Sequence, residues 1–281
     1  MDSFASFLLV FSLLFSLLAN GNYDVPFQQN YNPLWGYDHT KVLDESREIQ
    51  LTLDQYSGSG FQSWQKYGSG WFNMRIKTPQ KDSTAVITTF YLQSDAQGHR
   101  DEIDFEFLGG NGSKDHPYLL QTNIYTNGRG GREQGIFLWF DPTADFHDYT
   151  ILWNHYQTVF FVDRIPIRVF KNATKYGGAY PTKAMNIFAT IWTGTWASHG
   201  MPVNWTDAPF EAHYRGFDIT ACNTHDNNEQ DCLSNSKFWW NQKQYWSLNS
   251  DQQEAYENVR SKYLYYDYCT KPNYPECKYN Q

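Results

Sequence analysis

In the stretch Asp101-Glu-Ile-Asp-Phe-Glu-Phe107, acidic and apolar side chains alternate strictly from Glu102 onward. A period of two is typical of a β-strand, whose successive side chains point to opposite faces of a sheet. The pattern therefore turns the apolar residues toward a core and sets Glu102, Asp104 and Glu106 in a row on the other face. Like charges on one face of a sheet destabilise the sheet. The row is therefore expected either to be exposed to water or to serve a function.

Two interpretations of the row compete. It could be an acidic, solvated face on an ordinary strand, or the paired carboxylates of a glycosidase, with one nucleophile and one general acid. In the second case Asp104 lies beside both glutamates and adjusts their ionisation. We favour the glycosidase because no lysine or threonine interrupts the row, although strand acids are usually paired with such residues.

The spacing of the two glutamates leaves the stereochemistry open. At roughly 3.3 Å per residue, the Cα atoms of Glu102 and Glu106 lie about 13 Å apart in an extended strand. Retaining glycosidases place their two carboxyl groups about 5–5.5 Å apart, and inverting ones about 6.5–9.5 Å. Side chains that lean together on a curved sheet would close much of the gap.

The remaining sequence predicts mostly further strands. The last of the predicted elements are a helix over about 251–262, introduced by a capping box at Ser250-Asp-Gln-Gln253, and a strand over 265–268. Pro166 is expected at an edge or a bulge, close to a hairpin turn at Asp163-Arg164. The other predicted strands are 47–54, 71–77, 84–93, 120–123, 137–141, 149–154, 158–171 and 184–192.

Composition and charge exclude several classes of partner. The chain has 281 residues, long enough for one large β-sandwich or barrel with a core, and a formal net charge of −8. This charge argues against nucleic acid and anionic membrane surfaces. Aromatic residues make up 19% of the chain, which suits stacking against sugar rings but also suits a β-sandwich core.

The N-terminus predicts secretion. The almost wholly apolar run 4–18, followed by Ala19-Asn-Gly21, is typical of a signal peptide, which assigns residues 1–21 to it. After cleavage the protein is expected to be soluble, extracellular and, by default, monomeric. Secretion favours disulfides for the four cysteines, and the absence of metal-type spacing argues against zinc. No metal or cofactor is expected, and three disulfide pairings are possible.

The segment Arg100-Asp-Glu-Ile-Asp-Phe-Glu-Phe-Leu-Gly109 resembles the signature of the xyloglucan endotransglucosylase/hydrolases, although that signature usually begins with His. The flanking segments are similar too, so the resemblance covers essentially the whole mature chain. It implies an all-β fold, a jelly-roll β-sandwich of two curved antiparallel sheets with a small C-terminal helix-plus-strand extension. The implied division is a catalytic domain over 22–215 and the extension, packed on that domain, over 216–281.

The resemblance also assigns roles to residues. It implies Glu102 as nucleophile, Glu106 as general acid and base, and Asp104 as the residue that holds the charge state of the nucleophile. The implied disulfides are Cys222–Cys232 and Cys269–Cys277, and sequons predict glycans on Asn111, Asn172 and Asn204. The implied sugar contacts are Gln121, Thr122, Asn123, Gly131, Arg132, Glu133, Thr195, Trp196 and Gly200.

Three departures concern the family pattern around the substrate. Thr195 stands where an Asp precedes the tryptophan of the loop, Gly135 stands where many members have Arg, and Asn273 replaces a further Arg. By contrast, Trp192 is expected in the core, beside the stacking platform Trp196. The longer loop of the strict hydrolases is not visible between Asn123 and Trp139.

The resulting hypothesis is a secreted enzyme of the cell wall and apoplast. It would be a retaining xyloglucan endotransglucosylase, which cleaves the β-1,4-glucan backbone of a xyloglucan donor and rejoins it to a xyloglucan acceptor. The alternatives are an endo-glucan hydrolase specific for xyloglucan or mixed-linkage glucan, and a non-catalytic carbohydrate-binding jelly roll.

Overall fold

The structure, a computed structural model, describes residues 25–95, 97–271 and 274–280. The predicted signal peptide and Asn273 lie outside these described residues. Within them, the chain forms two antiparallel sheets, as the resemblance implies, and each sheet has eight strands. None of the helices in the described ranges is long and apolar enough to cross a membrane.

The strands are numbered in chain order. Those of the described residues are β1 (Tyr31–Trp35), β2 (Thr40–Leu43), β3 (Glu48–Leu53), β4 (Ser59–Ser63), β5 (Tyr67–Lys77), β6 (Val86–Gln93), β7 (Glu102–Leu108), β8 (Leu119–Tyr125), β9 (Gln134–Phe137), β10 (His147–Trp153), β11 (Gln157–Val162), β12 (Ile165–Lys171), β13 (Asn186–Thr193), β14 (Phe210–Arg215), β15 (Thr220–Asn223) and β16 (Leu264–Asp267). The α-helices there are α1 (Phe27–Asn30), α2 (Glu229–Cys232) and α3 (Ser250–Tyr263).

The acidic strand β7 lies near the middle of one sheet. This front sheet has the order β1-β4-β13-β6-β7-β8-β9-β16. The back sheet has the order β12-β11-β10-β5-β14-β3-β2, with β15 paired to β5. A central strand with hydrogen-bonded neighbours on both sides holds its side chains in a fixed register, so the position of the acidic row is determined by two ladders.

Aromatic side chains join the two sheets. Phe105 of β7 is fully buried and meets Phe160 of β11 edge to face, with ring centroids 5.0 Å apart. Phe107 meets Tyr149 of β10 in the same way at 4.6 Å. Burying such a side chain stabilises the fold by about 1.5–3 kcal/mol, so the apolar half of the alternating motif anchors β7 to the core.

The hairpin prediction is confirmed. Asp163 and Arg164 join β11 to β12, and both have positive φ angles, 49° and 69°, which favour a tight two-residue hairpin turn. Pro166 lies in the edge strand β12, opposite Phe161 and next to a register shift. It therefore lies both in an edge strand and beside a bulge, the two places where the sequence predicts it.

Two local predictions need correction. The strand predicted over 137–141 ends at Phe137, and Trp139 instead packs as a loop residue against Phe140 and Tyr263. A short apolar run cannot by itself distinguish a strand from a loop packed on the core. The capping box begins one residue earlier than predicted: the side chain of Asn249 accepts from the Gln252 N–H at 2.9 Å.

The C-terminal segment is tied to both sheets. Strand β16 extends the front sheet beside β9, and β15 extends the back sheet beside β5. The disulfides Cys222–Cys232 and Cys269–Cys277 are both present, in the pairing that the resemblance implies. Helix α3 packs on β12 and buries Tyr256 and Val259. The segment therefore reaches the edge of the sheet that carries the acidic row.

Candidate active site

The two ladders of β7 place the three carboxylates on one face of the front sheet. Residues directly opposite each other in neighbouring strands share a face, so Glu102, Asp104 and Glu106 form a row with their ladder partners. We call this surface the acidic face. The partners are Gln93, Tyr91 and Thr89 on β6, and Tyr125, Asn123 and Gln121 on β8.

Glu102 lies in a cationic environment. Its Oε2 atom accepts a hydrogen bond from Nε of Arg100 at 2.6 Å and another from the side-chain amide of Gln93. The guanidinium of Arg100 also lies 4.8 Å from the ring centroid of Tyr125. Because the positive charge favours an ionised partner, Glu102 is the member of the row best suited to carry a negative charge.

The surroundings of Asp104 favour its neutral form. It is 5% exposed, and burial raises its pKa well above the usual value, with the charges of Glu102 and Glu106 raising it further. A neutral carboxyl group can donate a hydrogen bond to a neighbouring carboxylate. A neutral Asp104 would thus lie between Glu102 and Glu106 and reduce the repulsion that a third negative charge would add.

Glu106 also lies in surroundings that favour its protonated form. Burial raises its pKa to about 7, against the opposite effect of a hydrogen bond that Gln121 donates to its Oε2 atom at 2.7 Å. The charges of Glu102 and Glu133 raise the pKa as well. Two carboxyl groups on one strand therefore lie in different environments, the arrangement that separates a general acid from a nucleophile.

Asp101, the first acid of the motif, has a different role. Its buried carboxylate accepts from the backbone N–H groups of Asn127, Thr182 and Lys183 at 2.8–3.0 Å, and from Nζ of Lys183 at 3.2 Å. These contacts connect the start of β7 to two loops. The sequence pattern leaves Asp101 outside the row, one residue before the alternation begins, and assigns it no role.

Of the residues predicted on β8, the structure brings Gln121 and Asn123 to the acidic face. Asn123 is oriented by its neighbours, since its Oδ1 atom accepts from the backbone of Ile124 and Arg132. Thr122 points to the core instead, where Arg168 donates to its hydroxyl at 2.9 Å and to its carbonyl at 2.8 Å. The predicted sugar contact of Thr122 is wrong because alternation puts it on the opposite face.

Arg132 also differs from its predicted role. Its side chain is 8% exposed, its Nε atom donates to Glu276 at 2.7 Å, and Nη1 donates to the carbonyl of Arg129. The guanidinium lies 5.6 Å from the ring centroid of Tyr274. These contacts bind the loop before β9 to the last disulfide segment, so Arg132 supports the structure and is not available to a sugar.

The neighbours of Arg132 remain close to the acidic face. The amide of Asn123 donates to Oε1 of Glu133 at 3.3 Å, which keeps Glu133 beside the row. Gly131 has a φ of +80°, and a Cβ atom there would lie 2.7 Å from the hydroxyl of Tyr274. Glycine is therefore required at this position by the backbone and by the neighbouring ring.

The loop after β13 presents aromatic rings on the same side. Trp196 is 51% exposed and its ring centroid lies 6.2 Å from that of Trp192. Trp192 pairs with Ile87, which pairs with Leu108, so it belongs to the acidic face and the prediction that it is a core residue is wrong. Both rings therefore border the surface that the carboxylates occupy.

Thr195 and Gly200 shape this loop. Thr195 is exposed and begins the 3-10 turn Thr195–Ser198, and its carbonyl accepts from the N–H of Gly200 at 2.7 Å. Gly200 has a φ of +92° and open space around it. Its contribution is a backbone conformation that glycine adopts without strain.

Several residues of the acidic face escaped the sequence analysis. Gln93, Tyr91 and Phe188 reach it through the register of β6 and β13, where the rings of Tyr91 and Phe188 stack at 5.1 Å. Thr89, Tyr91 and Gln93 lie at alternate positions, and this pattern predicts that their side chains share one polar face. The sequence did not say which strands would flank β7.

Comparison with known proteins identifies two segments of the chain. The family model described as Glycosyl hydrolases family 16 matches residues 27–207. The model described as Xyloglucan endo-transglycosylase (XET) C-terminus matches residues 234–276. Together these matches cover most of both the two-sheet sandwich and the C-terminal segment.

Related structures share the fold at low sequence identity. The β-glucanase of Bacillus licheniformis has a TM-score of 0.55 at 22% identity, over 66% of this chain and 89% of that one. A laminarinase from Flavobacterium sp. UMI-01 has a TM-score of 0.56 at 16% identity, over 70% of this chain and 94% of that one. These similarities confirm the predicted fold.

Two curated relatives are much closer in sequence. "Xyloglucan endotransglucosylase/hydrolase protein 2" of Arabidopsis thaliana is 49% identical over 273 residues, 94% of this chain and 92% of the relative. "Xyloglucan endotransglucosylase protein 2" of Diospyros kaki is 46% identical over 264 residues, 91% of this chain and 88% of the relative. With the carboxylate row in place on β7, these matches show that the chain belongs to the xyloglucan endotransglucosylase/hydrolase family, within glycosyl hydrolases family 16.

Proposed function

We propose that this protein is a retaining xyloglucan endotransglucosylase, which cuts the β-1,4-glucan backbone of one xyloglucan chain and joins the new end to another. The observation that supports it most is the contrast between the two glutamates of β7. Glu102 is paired with a cation, whereas burial raises the pKa of Glu106 to about 7. The names of the closely similar relatives point to the same substrate.

In the first step, an oxygen of Glu102 bonds to the anomeric carbon of the donor. The bond from that carbon to the glycosidic oxygen breaks, and its electron pair stays on the leaving oxygen, which takes the proton of Glu106. Asp104, whose neutral form is favoured by burial, would donate a hydrogen bond to Glu102 before the attack. The product is a glucan chain covalently attached to Glu102, with the other half of the donor released.

In the second step, a hydroxyl of the acceptor attacks the same carbon. Its proton passes to Glu106, and the bond to Glu102 breaks and returns the electron pair to the carboxylate. Water can take the place of the acceptor, which gives hydrolysis. An acceptor sugar that is bound and oriented beside the intermediate gains a large effective concentration over a freely diffusing molecule, so transfer requires an acceptor site.

The β8 side of the row is the proposed location of the acceptor. Gly135 lies directly opposite Gln121, and Tyr265 of strand β16 packs against Phe137 with ring centroids 5.0 Å apart. The C-terminal segment thus supplies an exposed aromatic ring on this side. The absence of an arginine side chain at Gly135 removes one hydrogen-bond donor, so transfer is expected to be slower than with that arginine.

The proposal is tested by product analysis with xyloglucan, with and without a labelled xyloglucan oligosaccharide. We expect label in long chains when the acceptor is present, and little chain shortening without it. Cleavage without any incorporation would establish a hydrolase instead. Binding without cleavage would establish the carbohydrate-binding jelly roll, an interpretation that the two differently tuned glutamates argue against.

The activity should depend on pH through Glu106. We expect kcat/KM to fall as pH rises through about 7, because the general acid must be protonated and burial raises the pKa of Glu106 to about 7. The measurement is kcat/KM for donor cleavage between pH 5 and 9. In Gln121→Leu the fall should move to higher pH, since the hydrogen bond of Gln121 lowers that pKa. If kcat/KM of Gln121→Leu falls at the same pH as that of wild type, the assignment of this fall to Glu106 would be contradicted.

The remaining assignments concern the cellular context. We propose that residues 1–21 are removed on secretion to the cell wall and apoplast, that the mature protein is a monomer, and that the division between sandwich and extension falls at 215/216. Glycans are proposed on Asn111, Asn172 and Asn204. The side chains of Asn111 and Asn204 are exposed, which supports their modification.

A further inference from the structure

The nucleophile proposed above is paired with a residue that differs from the usual one in its family signature. Where that signature usually begins with His, this chain has Arg100, whose Nε atom donates to Oε2 of Glu102 at 2.6 Å. The amide of Gln93 donates to the same oxygen. Two donors thus converge on one carboxylate oxygen, Oε2.

The position of Arg100 is restrained from several directions. Its carbonyl accepts from the N–H of Gly128 at 2.7 Å, and the next residue is the buried Asp101. Its guanidinium lies over the ring of Tyr125, which is directly opposite Glu102 in the β7–β8 ladder. An arginine held by an aromatic face and by its backbone loses little further freedom when it binds a carboxylate.

We propose that Arg100 is a positioning residue that keeps one oxygen of Glu102 bound and the other presented for attack, with a charge that does not change over the working pH range. The inference rests on the proposed function, since it assumes that Glu102 is the nucleophile. An arginine stays protonated in proteins, whereas a histidine loses its charge near pH 6.5. The arginine therefore makes the support of the nucleophile independent of pH.

Histidine is a matched replacement at this position. Its Nε2 atom is four bonds from Cα, as is Nε of arginine, so an imidazole can place a donor at the same oxygen. In the histidine variant that donor is cationic at pH 5 and neutral at pH 8. Hydrogen bonds with an ionised donor are roughly twice as strong as neutral ones. The hydrogen bond to Glu102 should therefore weaken with rising pH in the histidine variant, whereas that of Arg100 keeps its strength.

Other titratable groups face this contact and are common to all variants. They are Glu102 and Asp104 on β7, Tyr91 on β6 and Tyr125 on β8, and Glu106 follows along the row. The pKa values of both tyrosines are raised by burial, so neither ionises below pH 8. Expressing each activity as a ratio to wild type at the same pH removes the titration of the shared carboxyl groups.

The experiment compares Arg100→His, Arg100→Lys and Arg100→Gln with the wild-type protein between pH 5 and 8, by kcat/KM for transfer from xyloglucan to a labelled oligosaccharide. The ratio for Arg100→His should fall by about fivefold or more from pH 5 to pH 8, because its cation is lost. The ratio for Arg100→Lys should be flat, since lysine keeps its charge. Arg100→Gln should be flat and reduced by about 10- to 100-fold, the scale of a lost hydrogen bond to a charged group.

The outcomes separate the inference from the function on which it rests. A wild-type protein that neither cuts nor joins xyloglucan would refute the proposed function. An active wild type with a flat Arg100→His ratio, or with an undiminished Arg100→Gln, would overturn the role of Arg100 alone. A purely structural role would lower all three variants without any pH-dependent ratio, and urea unfolding midpoints equal to wild type exclude loss of folding as the cause.

Discussion

Replacement of Glu102 by alanine is expected to abolish both cleavage and transfer of xyloglucan. The side chain is the proposed point of covalent attachment, and removal of an enzyme nucleophile lowers kcat on the order of 10⁴–10⁶-fold. The fold should survive, since Glu102 contacts Arg100 and Gln93 on the acidic face and contributes nothing to the aromatic core. The measurement is turnover by purified Glu102→Ala protein whose urea unfolding midpoint matches that of wild type.

The same substitution at Glu106 should have a smaller and different effect. General acid–base catalysis typically contributes about 10²–10⁴-fold, so Glu106→Ala should retain measurable turnover, most of all with an activated leaving group that needs no proton. Its alkaline limb near pH 7 should also disappear, because that limb is assigned to the raised pKa of Glu106.

Azide distinguishes the two roles. In Glu102→Ala, azide can enter the space of the missing carboxylate, attack from that side and give an α-glycosyl azide. In Glu106→Ala, azide attacks the intermediate on Glu102 from the opposite side and gives the β-anomer. The same anomer from both variants, or near-normal turnover by Glu102→Ala, would falsify the mechanism and favour a carbohydrate-binding protein.

Asp101→Ala is expected to cause a large loss of stability. The buried carboxylate accepts three backbone N–H groups and the ammonium group of Lys183. A hydrogen bond to a charged group contributes about 1.5–3 kcal/mol, and contributions that share one acceptor are not additive. We therefore expect the free energy of unfolding to fall by roughly 3 kcal/mol or more, as measured by urea denaturation.

Two controls define the cause of that loss. Lys183→Met removes a partly exposed charge partner and keeps the backbone contacts, so its cost should stay below about 1 kcal/mol. Asp101→Asn keeps the size of the side chain but places an amide donor opposite N–H donors, so it should lie between wild type and Asp101→Ala. An Asp101→Ala protein as stable as wild type would show that water replaces these contacts.

The acidic row and the strand that carries it could be predicted from the sequence because alternation is a local property. The period of two determines which side chains share a face, whatever the neighbouring strands are. Other local signals predicted the hairpin turn near Asp163-Arg164 and an edge or bulge position for Pro166, since a proline has no N–H to donate to a ladder. The disulfide pairing, by contrast, came only from the resemblance to a family.

The sequence determined that Glu102, Asp104 and Glu106 stand together, and the tertiary structure decided what each of them is able to do. The hydrogen bond of Gln93 to Glu102, the burial of Asp104 and the hydrogen bond of Gln121 to Glu106 all come from ladder register and packing. Tertiary contacts also withdrew Arg132 from the substrate surface by pairing it with Glu276, 144 residues away in the chain. An ionisation state depends on the charges and the solvent within a few ångströms, and only the folded chain brings distant residues that close.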